Sequence, residues 1–524
     1  MRRAVVEDEL LSGQRLGTHT SNRIYPAPMK RVPLLSGSRI VGVPVGDDDV
    51  ILRPPPPPTR TVDVAAAVRD ALAFPLAGQP LVDLLSRGAR VTVVVEPPSL
   101  PVPGAHLDPR PTALATVLDE LERSGVAAEA VTLLVAGGLA RRSGRRELER
   151  LLPPPVARGF RGRVLVHDAA APDLVSLVGE TLANPALVHA DLVLVVSSAE
   201  TVIHGGPGAL LGACDARTVR SAATARSLVQ ASGEPAWQLG LAVEAAVAAR
   251  CVLLGVSLVL DHPRITGRFR GYPHEPGSLA HVASSPFRRL YSLLPGAVRR
   301  GVLSDQNRTL AATAAFAGPP SIAHVEALVR TIDLRGIRLD EPLDAIVVGV
   351  PWIGPHVPRE PLNPITSAGI ALGHALRQWR DAFPVREGGT LVLVHSLTRS
   401  FAHGTQAPYR ALFEELRAGA HLGDTEAVAA EDVPALDAYR AGRACHPLLP
   451  YADWAGCTPA LSRLGRVIVA GSRDAVAARA LGFVPSHSIS SALDMAHGVA
   501  GGGARVGILL APPYSPLMAQ GPLK

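Results

Sequence analysis

The sequence predicts an α/β protein made of two α/β domains with mainly parallel sheets and an interdomain cleft. Three observations carry that expectation. Short β-branched apolar runs of strand length recur along the chain, amphipathic helical stretches separate them, and the alternation occurs in two series, one on either side of about residue 335. Strands apolar on both faces need cover on both faces, and helices that cross between parallel strands supply it.

In chain order, residues 1–38 are polar, arginine-bearing and aperiodic, and read as a loose tail. The first domain is expected over 39–335 and the second over 336–524. Pro54 to Pro58 form a polyproline run, which joins neither a helix interior nor a sheet and reads as an extended spacer, an SH3-type ligand role being the alternative. Val91–Val95, Val131–Val135, Val164–Val166 and Leu192–Val196 read as the first strands. Between the first two, Leu114, Val117, Leu118 and Leu121 recur at helical spacing, with Thr112 as the expected cap and Gly125 as the stop. Asp215 is an expected cap for a helix running through Val219 toward Val229. Leu239 to Leu260 carries Glu244 and Arg250, so it reads as a helix and a buried strand and not as a membrane span. The second series gives strands at Ala345–Val350, Leu391–Val394, Val467–Ala470 and Val506–Leu510. Helices are expected at Gly369–Phe383, Tyr409–Ala418, Asp474–Leu481 and Ser490–His497.

Composition excludes several classes. Of 52 lysines and arginines only Lys30 and Lys524 are lysine, so no interior lysine exists for a P-loop, a Schiff base or pyridoxal phosphate. The net charge of +6 comes from scattered arginines with no nucleic-acid motif, so no nucleic-acid partner is expected. Cys214, Cys251, Cys445 and Cys457 form no CxxC pair, which fits a reducing compartment, and the Cys445-His446 and Cys457 group matches no zinc spacing. Glu7, Asp8 and Glu9 stand where a signal peptide needs apolar residues, so a cytoplasmic protein without a membrane partner is expected. There is no GxSxG elbow and no HExxH helix.

Several phrases in order then resemble the nickel-pincer lactate racemase family over about residues 41 to 510. They include Val68 to Val95, Val117 to Arg141 with its "VAGGLAR", Val166 to Thr181, Ala190 to Val196, Gly255 to Pro273, Val385 to Val394 and Arg479 to Ala496. The resemblance implies a 2-hydroxy-acid racemase or epimerase. In such enzymes a nickel pincer nucleotide tethered to a lysine takes a hydride from C2 while a histidine removes the hydroxyl proton.

Carried over residue by residue, the resemblance also implies a divergent site. The family's Gly-Leu-His-Arg becomes Gly138-Leu139-Ala140-Arg141, which removes a base and keeps Arg141. The tether segment becomes Gly205-Gly206-Pro207-Gly208, with the second base falling on Ser198 and the nickel histidine on Thr224. The early Asp-x-Thr-Arg-Pro loop becomes Pro97 to Pro101 around Ser99, and two polar second-domain positions fall on Thr366 and Gly369. A covalent tether is not possible at Gly208, so the cofactor is left unknown and no metal ligand is assigned.

The groups that remain give the candidate site. His204 and Glu200 flank the glycine turn and, with Arg141, are the catalytic candidates; as an unpaired histidine, His204 is read equally well as structural. Gly205, Gly206, Gly208, Ser198 and Ser99 are the candidate cofactor contacts, since glycine-rich backbone after a parallel strand presents N–H groups to anions, although most such runs are only tight turns. His356, Asn363, Thr366 and Arg399 are the candidate substrate contacts. The loops bearing them follow strands, and Arg399 has the fork geometry for a carboxylate, with His395 or His403 as acid or base. A rigid surface loop is the competing reading of Pro351 to Pro364. His167-Asp168 reads as a capped turn before it reads as catalytic. The expected function is a lactate racemase-like protein acting on a 2-hydroxy acid or similar small anion. The alternative is a catalytically degraded member that binds a small anion or a partner protein in the same cleft.

Overall fold

A computed structural model describes residues 31–97, 108–262, 264–265, 270–284, 286–299, 308–351, 362–401, 404–501, 503–510 and 516–519. Ser99, His356 and His403 lie outside the described residues.

Two six-stranded sheets organise the chain. The first has the order Ala312–Gly318, Val252–Leu260, Leu192–Ser198, Val91–Val95, Val131–Val135 and Arg163–Val166. All of its neighbours are parallel except Ala312–Gly318, which runs antiparallel to Val252–Leu260 at the edge. The second has the order Val484–Ser486, Arg466–Ala470, Val385–Val394, Leu343–Gly349, Val506–Leu509 and Val50–Leu52, and is parallel throughout. Every residue of Val91–Val95 and of Leu192–Ser198 is buried, which is what runs apolar on both faces require. The expected α/β class and mainly parallel sheets are what the chain adopts.

The N-terminal segment departs from the expectation. Arg31–Ser36 and Arg39–Pro44 form an antiparallel hairpin whose two-residue turn uses Gly37 at φ +52°, a backbone state that glycine reaches without cost. Val32, Leu34 and Val43 pack with Ala345, Val347 and Val392 of the second sheet. Residues 31–38 are therefore ordered structure and not loose tail. Val50–Leu52 pairs with Val506–Leu509, so 50–52 belong to the second sheet although they precede the first. The chain then crosses to the first sheet through residues 53–58, which join no helix or strand, as the polyproline run requires.

Helices differ from expectation mainly at their ends. Arg110–Arg123 begins after Pro109, one turn ahead of the expected Thr112 cap, because Pro111 is tolerated in a first turn that needs no N–H there; Gly125, at φ +89°, follows its end as expected. Asp215 does cap Ala216–Ser221, accepting from Arg217 and Thr218, but that helix ends well short of Val229. The helix expected at Gly369–Phe383 is instead three short pieces. Asn363 caps Pro364–Ala368, a π-helical segment spans Gly369–His374, and a 3₁₀ turn closes at Ala375–Arg377. Segments of π-helix are uncommon and concentrate at functional sites.

Among the described residues, no helix is long and apolar enough to cross a membrane.

Candidate functional site

The carboxyl ends of both sheets' strands face a shared cleft of about 190 Å³. In open parallel sheets this is where connecting loops diverge and leave room for a ligand. Its walls come from both lobes. Glu96 follows Val95, Ala136–Ala140 follow Val135, and Ile203, His204 and Gly208 follow Ser198. Opposite lie Thr366, Gly369, Ile370, Gly373, His374 and Arg377 of the interrupted helix, with Asp453 and Gly456 of Leu449–Leu461. The lobes are tied around the cleft by buried bonds. Tyr439 Oη accepts from Ala169 N and donates to Gly138 O at 3.0 Å, and the N–H of His446 donates to Leu139 O at 2.9 Å.

One side-chain pair in this cleft has the geometry of an acid–base unit. His204 Nδ1 lies 3.1 Å from Glu96 Oε1, and the same oxygen accepts from Gly205 N at 3.2 Å. The His204 side chain is 24% exposed while that of Glu96 is 7% exposed, so the carboxylate is fixed behind an imidazole that water and solutes reach. A carboxylate on Nδ1 fixes the ring's tautomer and orientation and leaves Nε2 for exchange. Glu96 was not among the candidates. Its signal was a lone acidic residue at the carboxyl end of an otherwise apolar strand.

The glycine turn lies beside the cleft, with Gly208 in its lining, but its N–H groups do other work. Gly205 N donates to Glu96, Gly206 N to Ser197 Oγ and Gly208 N to Gly205 O, so none of the three N–H groups is left for an anion. The glycines are required by packing instead. A Cβ on Gly205 or Gly206 would stand 2.5 Å from His324, and both hold positive φ. At Gly208 a Cβ would meet Ile203 C at 2.6 Å and Ile203 O at 2.7 Å. Position 208 therefore does not fit a side chain that carries a tethered group, and no step through such a group is derived. Among the described residues no cluster of three or more metal-ligating side chains occurs.

The other candidates separate clearly. Ala140, Thr366 and Gly369 line the cleft. Glu200 does not: it is buried and ion-paired with Arg335, whose side chain is only 1% exposed. Burial raises the Glu200 carboxyl and Arg335 opposes that rise. It is a structural pair, because a buried charge persists only when paired. Arg141 is bound by Glu147 and by the carbonyls of Arg142 and Gly442, beside the cleft but outside its lining. Ser198 is fully buried at its strand end. Asn363 is a helix cap, its Oδ1 accepting from Thr366 N at 2.9 Å, and is 0% exposed. Arg399 is held on the surface by Asp474 at 2.6 Å and cannot clamp a ligand in this cleft. Thr224 donates to Ser221 O and is not part of the lining. His167 and His395 are buried, with desolvation pushing each down to about 4. Asp168 closes the turn after His167 by accepting from Ala170 N, which is the structural reading of that pair. Cys445, His446 and Cys457 are likewise buried, the ring of His446 accepting from Leu448 N.

A residue that sequence reasoning passed over completes the opposite wall. Arg377 lines the cleft at 3% exposure, with Nη1 donating to Gly373 O at 3.2 Å and Gly456 O at 3.3 Å. Tyr409 and Asp453, also in the lining, are joined by a 2.6 Å hydrogen bond.

Comparison with known proteins agrees with this architecture. Residues 37–206 match the model of the lactate racemase N-terminal domain. The fold is similar to that of the lactate racemase apoprotein from Thermoanaerobacterium thermosaccharolyticum, at 15% identity and a TM-score of 0.60, over 94% of this chain and 100% of that one. It is also similar to a protein from Thermotoga maritima, at 13% identity and a TM-score of 0.50, over 88% of this chain and 100% of that one. No curated protein sequence matches the chain.

Proposed function

We propose that the chain is a member of the lactate racemase family, as the match over residues 37–206 and the shared fold support, that its interlobe cleft binds a small 2-hydroxy acid and that His204 exchanges the hydroxyl proton. The observation that carries this reading is the Glu96–His204 pair, half-open to the cleft beside the glycine turn. An imidazole held this way can take a proton onto Nε2 and return it, and Glu96 stabilises the charged ring while it does so. Ala140, also in the lining, carries no group able to act as a second base. Inversion at carbon further needs a hydride acceptor, which no side chain supplies. The proton half of the chemistry is therefore what this chain's own residues contribute.

A second reading has a specific observation in its favour. The backbone contact at Gly208 bars a tethered group, and a member without one binds a small anion in the same cleft and does not turn it over.

Chiral chromatography of a 2-hydroxy-acid panel separates the two. The enzyme reading expects interconversion of at least one acid by the protein expressed beside the enzymes that make the pincer nucleotide. His204→Asn and Glu96→Gln should then lower the rate by about a hundredfold or more. A panel that is bound but never interconverted eliminates the enzyme reading and leaves the binding one.

A further inference from the structure

The guanidinium of Arg377 is fixed on one edge and unpaired on the other among the described residues. Nη1 is held by the carbonyls of Gly373 and Gly456, whereas Nε and Nη2 are buried with no hydrogen-bond partner among the described residues. Those two nitrogens form one side of the planar fork, the side that takes a carboxylate through two parallel N–H···O bonds. The backbone is pinned as well, since Leu228 N of the opposite lobe donates to Arg377 O at 2.7 Å. Space has been left for the group: a Cβ on Gly456 would stand 2.6 Å from Nη1. Glu234 and Asp453 are near enough to feel the charge, but among the described residues neither forms an ion pair with it.

A buried cation without a counter-ion is costly unless something else supplies the negative charge. The remaining walls of the cleft are mostly aliphatic or glycine, including Leu211, Val219, Ala222, Leu228 and Ile370. Such walls accept a small apolar body behind a charged head.

We propose that Arg377 is the anchor of the cleft, gripping the carboxylate of a small organic acid bidentately through Nε and Nη2. This rests on the reading of the cleft as a hydroxy-acid site and names the residue that selects the acid group. Methyl lactate, which lacks that charge, is excluded by the same geometry, and inorganic phosphate, which the fork can also grip, has no apolar body to bury against the aliphatic walls.

Titration calorimetry tests the anchor, with lactate, glycolate, methyl lactate and inorganic phosphate as probes against the full-length protein, Arg377→Met and Arg377→Lys. Lactate or glycolate should bind the unmodified protein more tightly than phosphate, and methyl lactate not at all. Arg377→Met should weaken the carboxylates on the order of ten- to a hundredfold, with Arg377→Lys recovering only part, because a lysine offers a point charge without the fork. Thermal melts check the folding of both variants. Without ligand, Arg377→Met should melt no earlier than the parent, whereas an arginine needed only for structure would make it melt earlier.

Carboxylate binding that survives Arg377→Met, binding of methyl lactate equal to lactate, or preference for phosphate would each overturn the anchor. If carboxylates bind through Arg377 and no acid is interconverted, the anchor stands and the proposed reaction falls. If interconversion proceeds undiminished in Arg377→Met, the reaction stands and the anchor falls.

Discussion

Substituting Gly208 tests whether this cleft has room for a tethering side chain. The helix Pro207–Leu211 is buried along its whole length, and the Cβ of an alanine at 208 would lie 2.6 Å from Ile203 C, 2.7 Å from Ile203 O and 3.4 Å from Ile203 Cα. All three atoms are backbone, so no rotamer change relieves the overlap, and the loop from Ile203 to the turn has to move. Overpacking of this kind costs about 1–3 kcal/mol even when flexible side chains absorb it. A rigid backbone neighbour puts Gly208→Ala at the upper end, roughly 3 kcal/mol, and Gly208→Lys beyond it. Gly159 supplies the control, because nothing lies within 4 Å of its Cβ position and its φ is not in the left-handed region. Gly159→Ala should melt with the parent or slightly above it. Gly208→Ala should melt several degrees earlier. Intact mass of Gly208→Lys, expressed beside the enzymes that make the pincer nucleotide, should show no adduct. Melting of Gly208→Ala with the parent, or an adduct on Gly208→Lys, would refute the argument.

Three other outcomes are expected. Burial lowers His167, His395 and His446 from 6.5 to about 4, so the unfolded chain binds more protons between those values; stability is full above pH 6.5 and is lost as pH falls toward 4. Each contributes roughly 3 kcal/mol over that window, a large share of the 5–15 kcal/mol typical of whole domains, so circular dichroism should show cooperative unfolding near pH 5, and a midpoint below pH 4 would contradict it. Glu200→Ala should destabilise by roughly 3–5 kcal/mol in denaturant unfolding, because it leaves Arg335 charged and unpaired, yet leave carboxylate affinity unchanged; an affinity loss with intact stability would return Glu200 to the site. Tyr439→Phe removes the hydroxyl that joins Ala169 N to Gly138 O and should cost about 1–3 kcal/mol, read from the same unfolding curves.

Strands and lobes were legible because a parallel strand covered on both faces leaves an unbroken apolar run, and Val91–Val95 or Leu391–Val394 admits little else. The N-terminal hairpin was not legible. Pro33, Arg31 and Arg39 mask its alternation, and what holds Val32 and Leu34 is a sheet formed by residues more than 300 positions away in the chain. The same distance hid Val50–Leu52. In the site, His204 was visible from its place after a strand, while its partner Glu96 lies 108 residues earlier and is brought to it only by the pairing of Val91–Val95 with Leu192–Ser198. Glu200 looked catalytic beside the turn because a sequence cannot say which side of a strand end meets the cleft. Arg335, 135 residues on, decides that it does not.

Arg377 was invisible for a different reason. Among so many arginines its type carries no information, and its role follows only from what fails to surround it. The comparison with Arg335 makes the point physical. Both guanidiniums are buried, but Arg335 has Glu200 against it, whereas among the described residues Arg377 bonds two carbonyls on one edge and no carboxylate. Desolvation lowers Arg377 from 12.5 to about 10, so it remains charged at neutral pH, and holding that charge costs on the order of 3 kcal/mol at every pH below 10. A methionine would fill much of the same volume without that cost. A fold retains a buried cation that no carboxylate bonds directly when a ligand supplies the missing charge, and the cleft that contains it also contains the Glu96–His204 pair. Charge on one wall and a proton carrier on the other are what a hydroxy acid needs at its two polar ends.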